Sequence, residues 1–497
     1  MTNKEIAINY LNQFSRLLVI IETFPYPINQ LFALHNFKNI KENVSEEFEV
    51  SWKKGYEIFL SELSIKVIEL EESSNQDKYV IAYQLCCCLD KRIIYADDYS
   101  DLDKISLYDL LQVSENIPCT LMEPMNDNFS KTYIAIHPKF KVYDVHEHYQ
   151  TDKGEEKTIE RPTSIKDAFS KINGYLENIS YTKHDDSGLS VVDIVINGTN
   201  LAKKDCLTIA FSPMIDQDFL DEKDELVCLD GMSFDATGVV GIKSEQQENM
   251  LQRFNDAWVT ASNQGADIIF FPEAMGLPTL ENIQYGQHIH IKKLGELVME
   301  NGGQPPIITF LPSYCADKTN SISIAYQDGR HLGKQYKHRP FVNRKTNRME
   351  TIIAKSSPTI VVIHIPGVHR VAIMICSDYL TCPVETQQKL FADLGITLLL
   401  VPSFSKGEQD FISKLPELKK YGTTVVWGNC CAATEPERIR GGCSIATLDT
   451  VHRFNECDEC KNECKKGCLY LVKVPIHTKR AQRQKAMLDD VIKHKLL

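Results

Sequence analysis

Short apolar runs that end in a polar or reactive residue constrain the fold of this chain more than any other feature. Residues 371–375 lead into Cys376, and residues 266–271 lead through Pro272 into Glu273. Apolar runs of about four to eight residues are typical of strands buried on both faces, as in the parallel sheets of α/β proteins. Because such sheets bind ligands at the carboxyl ends of their strands, Cys376 and Glu273 are candidate site residues.

Cys376 has two interpretations from its own sequence context. Free cysteine is among the most buried residue types, so the side chain could simply fill the core. A cysteine is also a capable nucleophile once a neighbouring group takes its proton. Between Glu273 and Cys376, Lys337 lies three residues before Pro340 and adds a candidate cation. The order glutamate, lysine, cysteine, each at or near a strand end, favours the nucleophile.

These segments resemble the motifs of the carbon–nitrogen hydrolase (nitrilase) superfamily. In that family one strand is followed by P-E, a lysine precedes a proline or leucine, and another strand ends in I-C-x-D. The resemblance continues downstream with a V-P-S segment, a strand ending in asparagine and a Gly-Gly-x-Ser strand, at residues 395–404, 423–429 and 440–447. The resemblance covers residues 205–478, about half of the chain.

The resemblance implies a fold and a catalytic triad. It implies that residues 205–478 form an α/β fold, a four-layer α-β-β-α sandwich that pairs with another copy as a homodimer or a higher oligomer. Cys376 would be the nucleophile, Glu273 the general base and acid, and Lys337 the cation that stabilises the tetrahedral intermediate. Lys334 is the competing lysine, but it lacks the family spacing to a proline.

Residues around the triad refine the expected substrate. Ser377 and Asp378 complete the I-C-x-D segment of the amidase-like branches, which favours amides over nitriles. Glu350 is the only glutamate between Lys337 and Cys376, where many members carry a second glutamate that positions the base, but it lies farther from the lysine than is usual in the family. The arginine that often follows the cysteine is missing, so the resemblance does not indicate a substrate carboxylate at the usual position.

The composition limits the partners and the compartment. A formal net charge of -12 argues against a nucleic-acid-binding surface as the main function, because phosphate binding needs concentrated lysine and arginine. No apolar stretch reaches the length of a membrane span, and residues 1–21 lack the cleavage site of a signal peptide. Sixteen cysteines without a secretory signal indicate a reducing compartment, so the expected location is the cytoplasm.

The chain is too long for one typical domain. Residues 1–145 are expected to form a small α-rich α+β accessory domain, which could bind a protein partner. Residues 146–204 are expected to be a linker with a connecting helix and strand, and residues 479–497 a helical tail. The elements predicted before the hydrolase region are helices over 52–71, 80–89, 102–113 and 164–179 and strands over 132–138, 141–145 and 191–196.

Four cysteines lie in a predicted insertion at residues 454–468, namely Cys457, Cys460, Cys464 and Cys468. The initial C-x2-C spacing is typical of a zinc ligand pair, and four thiolates would complete a tetrahedral structural site. The later spacings also fit one face of a helix, so redox-active or unpaired thiols are the alternative. Catalysis by the expected triad needs no cofactor.

The sequence therefore predicts a cysteine-dependent hydrolase of a non-peptide C–N bond, such as a linear amide in a small-molecule substrate. The reaction would pass through a thioester acyl-enzyme, and transfer of the acyl group to an amine is a variant. The alternative is a nitrilase-like binding or regulatory subunit of a larger assembly, such as a prokaryotic antiviral defence system. The accessory domain and the missing arginine motivate that alternative.

Overall fold

The structure is a computed structural model. It describes residues 3–34, 36–94, 190–196, 199–214, 246–316, 318–343, 348–350, 358–365, 368–387, 394–433, 439–446, 451–454 and 468–476. It also describes the shorter pieces 105–106, 133–138, 145–150, 156–161, 172, 176, 179–184, 233–234, 238–239, 352, 390–391 and 492–495.

The described helices are α1 (Asn3–Glu22), α2 (Phe37–Trp52), α3 (Tyr56–Glu72), α4 (Asp77–Lys91), α5 (Thr199–Ala202), α6 (Gln247–Asn263), α7 (Ile289–Glu300), α8 (Ser377–Leu380), α9 (Val384–Gln387) and α10 (Glu408–Lys414). Turns of 3₁₀ helix lie at Ile28–Ala33, Leu415–Tyr421 and Cys431–Ala433. None of these helices combines the length and the apolar character that a bilayer crossing requires.

The described strands are β1 (Ile93–Ile94), β2 (Ile105–Ser106), β3 (Tyr133–Pro138), β4 (Val145–Gln150), β5 (Glu156–Arg161), β6 (Ile179–His184), β7 (Ser190–Val195), β8 (Cys206–Phe211), β9 (Ser233–Phe234), β10 (Gly238–Val239), β11 (Ile268–Phe270), β12 (Ile283–Gln284), β13 (Gln287–His288), β14 (Ile308–Phe310), β15 (Tyr314–Ala316), β16 (Thr319–Tyr326), β17 (His331–Tyr336), β18 (Val342–Asn343), β19 (Arg348–Met349), β20 (Thr359–Ile365), β21 (His369–Ile373), β22 (Leu398–Ser403), β23 (Thr424–Asn429), β24 (Gly441–Ser444), β25 (Val451–Phe454), β26 (Cys468–Pro475) and β27 (Ile492–Lys495).

The N-terminal region is helical, and helices α1 to α4 share one hydrophobic core. In α3 the buried residues Phe59, Leu63, Val67 and Leu70 recur every three or four positions, so they form one stripe along the helix. Cys86 of α4 is fully buried in the same core. The helices predicted over residues 80–89 and 52–71 are therefore confirmed as α4 and α3, although α3 begins at Tyr56 and Trp52 is the last residue of α2.

Two large sheets are built from strands between Ser190 and Lys495. The first sheet has the order β15-β16-β14-β11-β8-β26-β27, with β17 added beside β16. Its strands β8, β11 and β14 run parallel. The second sheet has the order β25-β24-β23-β22-β21-β20-β7, and its strands β21, β22 and β23 run parallel.

Apolar residues of the two sheets share one hydrophobic core. Ile209 and Phe211 of β8 enter this core, together with Val371 and Ile373 of β21. A Cβ at Gly428 of β23 would overlap the Phe211 ring, so the glycine permits this close approach of the sheets.

Helices pack against residues of both sheets. On the first sheet, Ala210, Ile269 and Leu471 pack with α6 and α7, and Trp258 of α6 donates a hydrogen bond to the Thr309 hydroxyl at 2.9 Å. On the second sheet, α10 and the 3₁₀ turn Leu415–Tyr421 supply buried apolar residues next to β23. The arrangement is a mixed α/β architecture with a helical region before it.

Several expectations about element boundaries are wrong. Strand β3 matches the strand predicted over 132–138, and it pairs with β6. Of the strand predicted over 141–145, residues 141–144 lie outside the described residues, and Val145 begins β4, which pairs with β5 in a hairpin where a linker was expected. Strand β7 pairs in parallel with β20 in the second sheet. The two large sheets therefore include residues before the boundary predicted at residue 205. Apart from the β4–β5 hairpin, these pairings join distant segments, which local sequence patterns do not encode.

Two segments that were predicted to be helical contain strands in the part of each that the structure describes. Ile105–Ser106 pairs with β1, although residues 102–113 were expected to be helical, and the rest of that segment lies outside the described residues. Ile492–Lys495 pairs with β26 at the edge of the first sheet, although residues 479–497 were expected to form a helical tail. Of the predicted helix over 164–179, Ile172 and Leu176 are described and are buried with α1 to α4.

Candidate active site

The candidate site lies where strand ends from the two sheets meet. Glu273 follows β11 and Lys337 follows β17 in the first sheet, whereas Cys376 follows β21 in the second. All three residues are at most 3% exposed. The structure thus brings together the glutamate, the lysine and the cysteine that the sequence motifs single out.

Cys376 occupies a strained backbone position at the end of its strand. Its φ of 48° and ψ of -104° lie in a region that residues with a side chain rarely adopt. Such a conformation costs about 1–3 kcal/mol and persists where the surrounding structure enforces it. Here the backbone N–H donates to the Pro402 carbonyl at 2.9 Å, and the carbonyl accepts from the N–H of Tyr379 at 3.1 Å. The thiol lies within hydrogen-bond reach of the Glu273 carboxylate.

Glu273 is held at both of its carboxylate oxygens. Oε1 accepts from Lys337 Nζ at 2.6 Å and from Asn320 Nδ2 at 3.0 Å, and Oε2 accepts from the backbone N–H of Phe404 at 3.1 Å. The next residue, Ala274, has a φ of 64°, and its N–H donates to the Ser313 hydroxyl. Donors from β16, from the segment after β17 and from the segment after β22 therefore fix one carboxylate.

Lys337 sits between two buried carboxylates. Its Nζ lies 2.6 Å from Glu273 Oε1 and 2.5 Å from Glu350 Oε2. Glu350 comes within reach because the β18–β19 hairpin folds back, and its Oε2 also accepts from the N–H of Phe341 at 2.9 Å. The long sequence separation between Lys337 and Glu350 is closed by this hairpin.

Burial dominates the electrostatics of this group. It raises the pKa of Glu273; Lys337 lowers that pKa and Glu350 raises it, with a net upward shift. Burial raises the pKa of the Cys376 thiol well above its usual value, and the Glu273 carboxylate raises it further. Burial alone would lower the pKa of Lys337, but the two carboxylates outweigh it and hold that pKa well above normal. The lysine is therefore charged and the resting thiol is neutral.

Ser377 and Asp378 bind the backbone beside the lysine. The Asp378 carboxylate accepts from the N–H of His338 at 3.0 and 3.1 Å and from that of Arg339 at 2.7 Å. The Ser377 hydroxyl donates to the Arg339 carbonyl at 2.5 Å. The two residues after Cys376 thus fasten the segment that carries Lys337 to the segment that carries Cys376.

The V-P-S segment and the strand ending in asparagine support the base. Asn429 Oδ1 accepts from the N–H of Ser405 at 3.0 Å, and its Nδ2 donates to the Ser405 carbonyl at 2.7 Å. The Ser403 hydroxyl accepts from Trp427 Nε1 at 2.7 Å. These bonds fix both neighbours of Phe404, whose N–H reaches Glu273.

The remaining sequence candidates lie elsewhere. Lys334 pairs with Glu281 at 2.6 Å on β17 and makes no ion pair with the triad. Of the cysteine cluster, Cys468 begins β26 and is buried, whereas Cys457, Cys460 and Cys464 lie outside the described residues. The zinc site stays a prediction.

Sequence reasoning missed Asn320. Its polar side chain lies in β16, in a stretch that alternates as T-N-S-I-S-I, and this pattern predicts an ordinary strand. A weak signal was available, because the strand presents two further polar residues at buried positions, Ser321 and Ser323. Buried polar side chains need partners, and one of these serines bonds to Glu281 rather than to the triad.

The solved structures similar to this chain include those of an amidase from Nesterenkonia sp., which is 15% identical, covers 57% of this chain and 97% of its own, and has a TM-score of 0.37. A mutant of that amidase, described as coming from the nitrilase superfamily, covers 58% of this chain and 98% of its own at 15% identity and a TM-score of 0.37. Another mutant shows covalent addition of the acetamide moiety of fluoroacetamide at its active-site cysteine, with 14% identity, 57% and 97% coverage and a TM-score of 0.35. No protein-family model and no curated protein matches the chain.

The chain is similar to these amidase structures. At these identities and TM-scores, the similarity does not establish an activity or a site for this chain. Those are argued below from its own residues.

Proposed function

We propose that this chain is a cysteine-dependent hydrolase of a linear amide or a related non-peptide C–N bond. One observation carries the proposal. The ammonium of Lys337 lies 2.6 Å from Glu273, and the same carboxylate lies within hydrogen-bond reach of the Cys376 thiol, with all three groups buried at strand ends. A base, a cation and a nucleophile in mutual contact are the parts that acyl transfer requires.

The first step is attack by sulfur on the amide carbon. Because the resting thiol is neutral, the proton must leave as the S–C bond forms. Glu273 accepts this proton, since its carboxylate is the hydrogen-bond partner of the thiol. The two electrons of the carbonyl π bond move onto oxygen and produce a tetrahedral oxyanion.

Lys337 and one backbone amide stabilise this oxyanion. An ammonium has three donors, and two of those on Lys337 point at Glu273 and Glu350, which leaves the third for the substrate. After Cys376, the N–H of Asp378 bonds to Ile375 O and that of Tyr379 to Cys376 O. The N–H of Ser377 is therefore the backbone candidate, and one such donor is worth about 3–4 kcal/mol.

The second half of the reaction regenerates the enzyme. Glu273 gives its proton to the nitrogen as the C–N bond breaks, which releases the amine and leaves a thioester on Cys376. The carboxylate then takes a proton from water as the water oxygen attacks the thioester carbon. The C–S bond breaks, the acid leaves, and the proton returns to sulfur.

The other site residues hold the three reacting side chains in position and are not assigned a contact with the substrate. The carboxylate of Glu350 lies 2.5 Å from Lys337 Nζ and keeps the ammonium beside the base. Asp378 is buried, and its oxygens accept backbone N–H groups, so its proposed role is to hold the lysine segment. The helices over both packed sheets support the α-β-β-α sandwich that the motifs imply.

The test is intact-mass spectrometry of the Glu273→Gln variant incubated with a pool of primary and N-alkyl amides. Because Glu273 serves both half-reactions, the pool also contains the corresponding p-nitrophenyl esters, whose leaving group departs without taking up a proton. Acylation from these esters can then proceed without the base while the thioester hydrolyses slowly, so we expect an adduct whose mass identifies the acyl group. Cys376→Ala should show no adduct. Glu281→Gln is the matched control, because Glu281 is another glutamate paired with a lysine and its side chain is 9% exposed; this variant should turn over amides without accumulating an adduct. An absence of adduct and of turnover in folded protein would contradict the proposal.

Amides are the favoured substrate class because the I-C-S-D segment is that of amidase-like branches. Homo-oligomer formation, the cytoplasmic location and a partner of the N-terminal helices stay predictions. The alternative of a binding subunit in a larger assembly has no support in the structural similarities.

A further inference from the structure

The two oxygens of Glu273 have different surroundings. Oε1 accepts two side-chain donors, Lys337 Nζ at 2.6 Å and Asn320 Nδ2 at 3.0 Å. Oε2 accepts one backbone donor, the N–H of Phe404 at 3.1 Å. A carboxylate oxygen offers about two lone-pair sites, so among the described contacts Oε1 is filled and Oε2 retains one site.

We infer that Asn320 is a positioning residue that, together with Lys337, occupies Oε1 of Glu273 and makes Oε2 the oxygen that carries the catalytic proton. This inference rests on the proposed function. The proton moves from Cys376 Sγ to Oε2 as the S–C bond forms, and from Oε2 to the leaving nitrogen as the C–N bond breaks. Asn320 keeps both of its amide protons throughout.

Asn320 is suited to this role because its orientation cannot be reversed. An amide flip would place Oδ1 against the Glu273 carboxylate, an acceptor against an acceptor. In the observed orientation Oδ1 is buried and has no hydrogen-bond partner among the described residues. Leaving a buried acceptor without a partner is unfavourable, so the orientation is set by the bond from Nδ2 to Glu273.

Asn320 also joins the base to the lysine through its main chain. Its carbonyl accepts from the backbone N–H of Lys337 at 2.8 Å, while its side chain donates to Glu273. The residue is 1% exposed, so solvent does not weaken either bond. Asn320 therefore sets both the orientation of the Glu273 carboxylate and the position of the Lys337 backbone beside it.

The electrostatic consequence has a definite sign. A neutral donor stabilises the charged form of a carboxyl group, so removal of Asn320 Nδ2 raises the pKa of Glu273. Protonated Glu273 cannot accept the thiol proton. The pH at which Cys376 becomes reactive should therefore rise by about one to two units, the value of a hydrogen bond to a charged group.

The experiment measures the rate of alkylation of Cys376 by iodoacetamide from pH 5 to 9, with the modified peptide quantified by mass spectrometry. Asn320→Leu preserves the approximate size and removes the donor. Asn320→Asp preserves the size and replaces the donor with a second carboxylate, which should raise the apparent pKa further than Leu does. Ser323→Ala is the matched control, because this serine lies on the same strand and bonds to Glu281 outside the triad.

We expect the acid limb of the alkylation profile to move to higher pH for both Asn320 variants and to stay at the same pH for Ser323→Ala. A merely structural defect would lower the rate at every pH without moving the limb. An unmoved limb in either folded variant, or an equal shift in the serine control, would overturn the inference. Since alkylation needs no substrate turnover, the proposed function can fail in the amide assay while this result still decides the role of Asn320.

Discussion

Replacing Lys337 with methionine tests the electrostatic logic of the site. The side chain of Lys337 is 0% exposed, and those of its partners Glu273 and Glu350 are 2% and 0% exposed. Removal of one partner from a buried ion pair costs about 3–5 kcal/mol, because the remaining charge stays buried without compensation. Here one substitution leaves two carboxylates in that state, so we expect the upper end of this range at pH 8.

The loss should shrink in acid. Without the ammonium, which lowers the pKa of Glu273, that pKa rises further in the folded protein, while glutamates of the unfolded chain keep a pKa near roughly 4. The folded variant then binds more protons than the unfolded chain, so its free energy of unfolding falls as pH rises through that interval. Urea unfolding at pH 5.5 and pH 8 measures the difference. Glu350→Gln in the Lys337→Met background should recover part of the stability at pH 8, because it removes one of the two charges.

Lys334→Met is the matched control for this experiment. Lys334 also pairs with a glutamate at 2.6 Å, but its side chain is 29% exposed and it has one carboxylate partner, Glu281. Lys334→Met should therefore lose clearly less stability than Lys337→Met, and its amide turnover should persist. If the free energy of unfolding of Lys337→Met equals that of the wild type, or if its loss of stability is the same at both pH values, the assignment of a charged lysine between two carboxylates is wrong.

Three further predictions concern single sites. Because the pKa of Glu273 is raised, kcat/KM should fall on acidification at a pH well above 4.3, which is roughly the ordinary pKa of a glutamate. A pH–rate profile measures the midpoint of this fall. A midpoint at the ordinary value would contradict the argument that burial raises the pKa. Asp378→Asn places an NH₂ group among backbone donors, so the segment of Lys337 should shift. The measured kcat should then fall by up to about 10²-fold with the fold retained. An unchanged kcat would show that the Asp378 hydrogen bonds are not needed for activity. Gly428→Ala should cost about 1–3 kcal/mol in urea unfolding, because the added methyl overlaps Phe211; a neutral effect would show that the two sheets can separate there.

The strand ends of the site could be predicted from sequence because each is a local signal. An apolar run followed by P-E or by C-S-D gives both the strand and the residue at its tip, and the structure brings these tips together. Glu350 was a less certain assignment, since its distance along the chain from Lys337 exceeds the family spacing. The β18–β19 hairpin closes that distance, and a two-residue strand pair leaves almost no pattern in the sequence.

The failures share one physical cause, which is pairing between distant segments. The strand Ile492–Lys495 was assigned to a helix because basic residues around it recur with helical spacing, but its backbone pairs with Cys468–Leu471. Asn320 escaped notice for a similar reason, since its partner Glu273 lies in a different strand of the sheet. Contacts that depend on three-dimensional neighbours leave weak traces in periodicity.

The parallel pairing of Ser190–Val195 with Thr359–Ile365 has a consequence for synthesis of the chain. Ser190 is opposite Thr359, so 169 residues (359 minus 190) separate the two strands. At about 5–20 residues per second, the ribosome needs roughly 8–34 seconds to make the second strand after the first. During that interval Val191 and Ile194, which are buried in the finished protein, have no partner strand. We therefore expect the nascent chain to carry an unpaired apolar strand for many seconds, and an unpaired strand of this kind is prone to aggregate until its partner strand has been made.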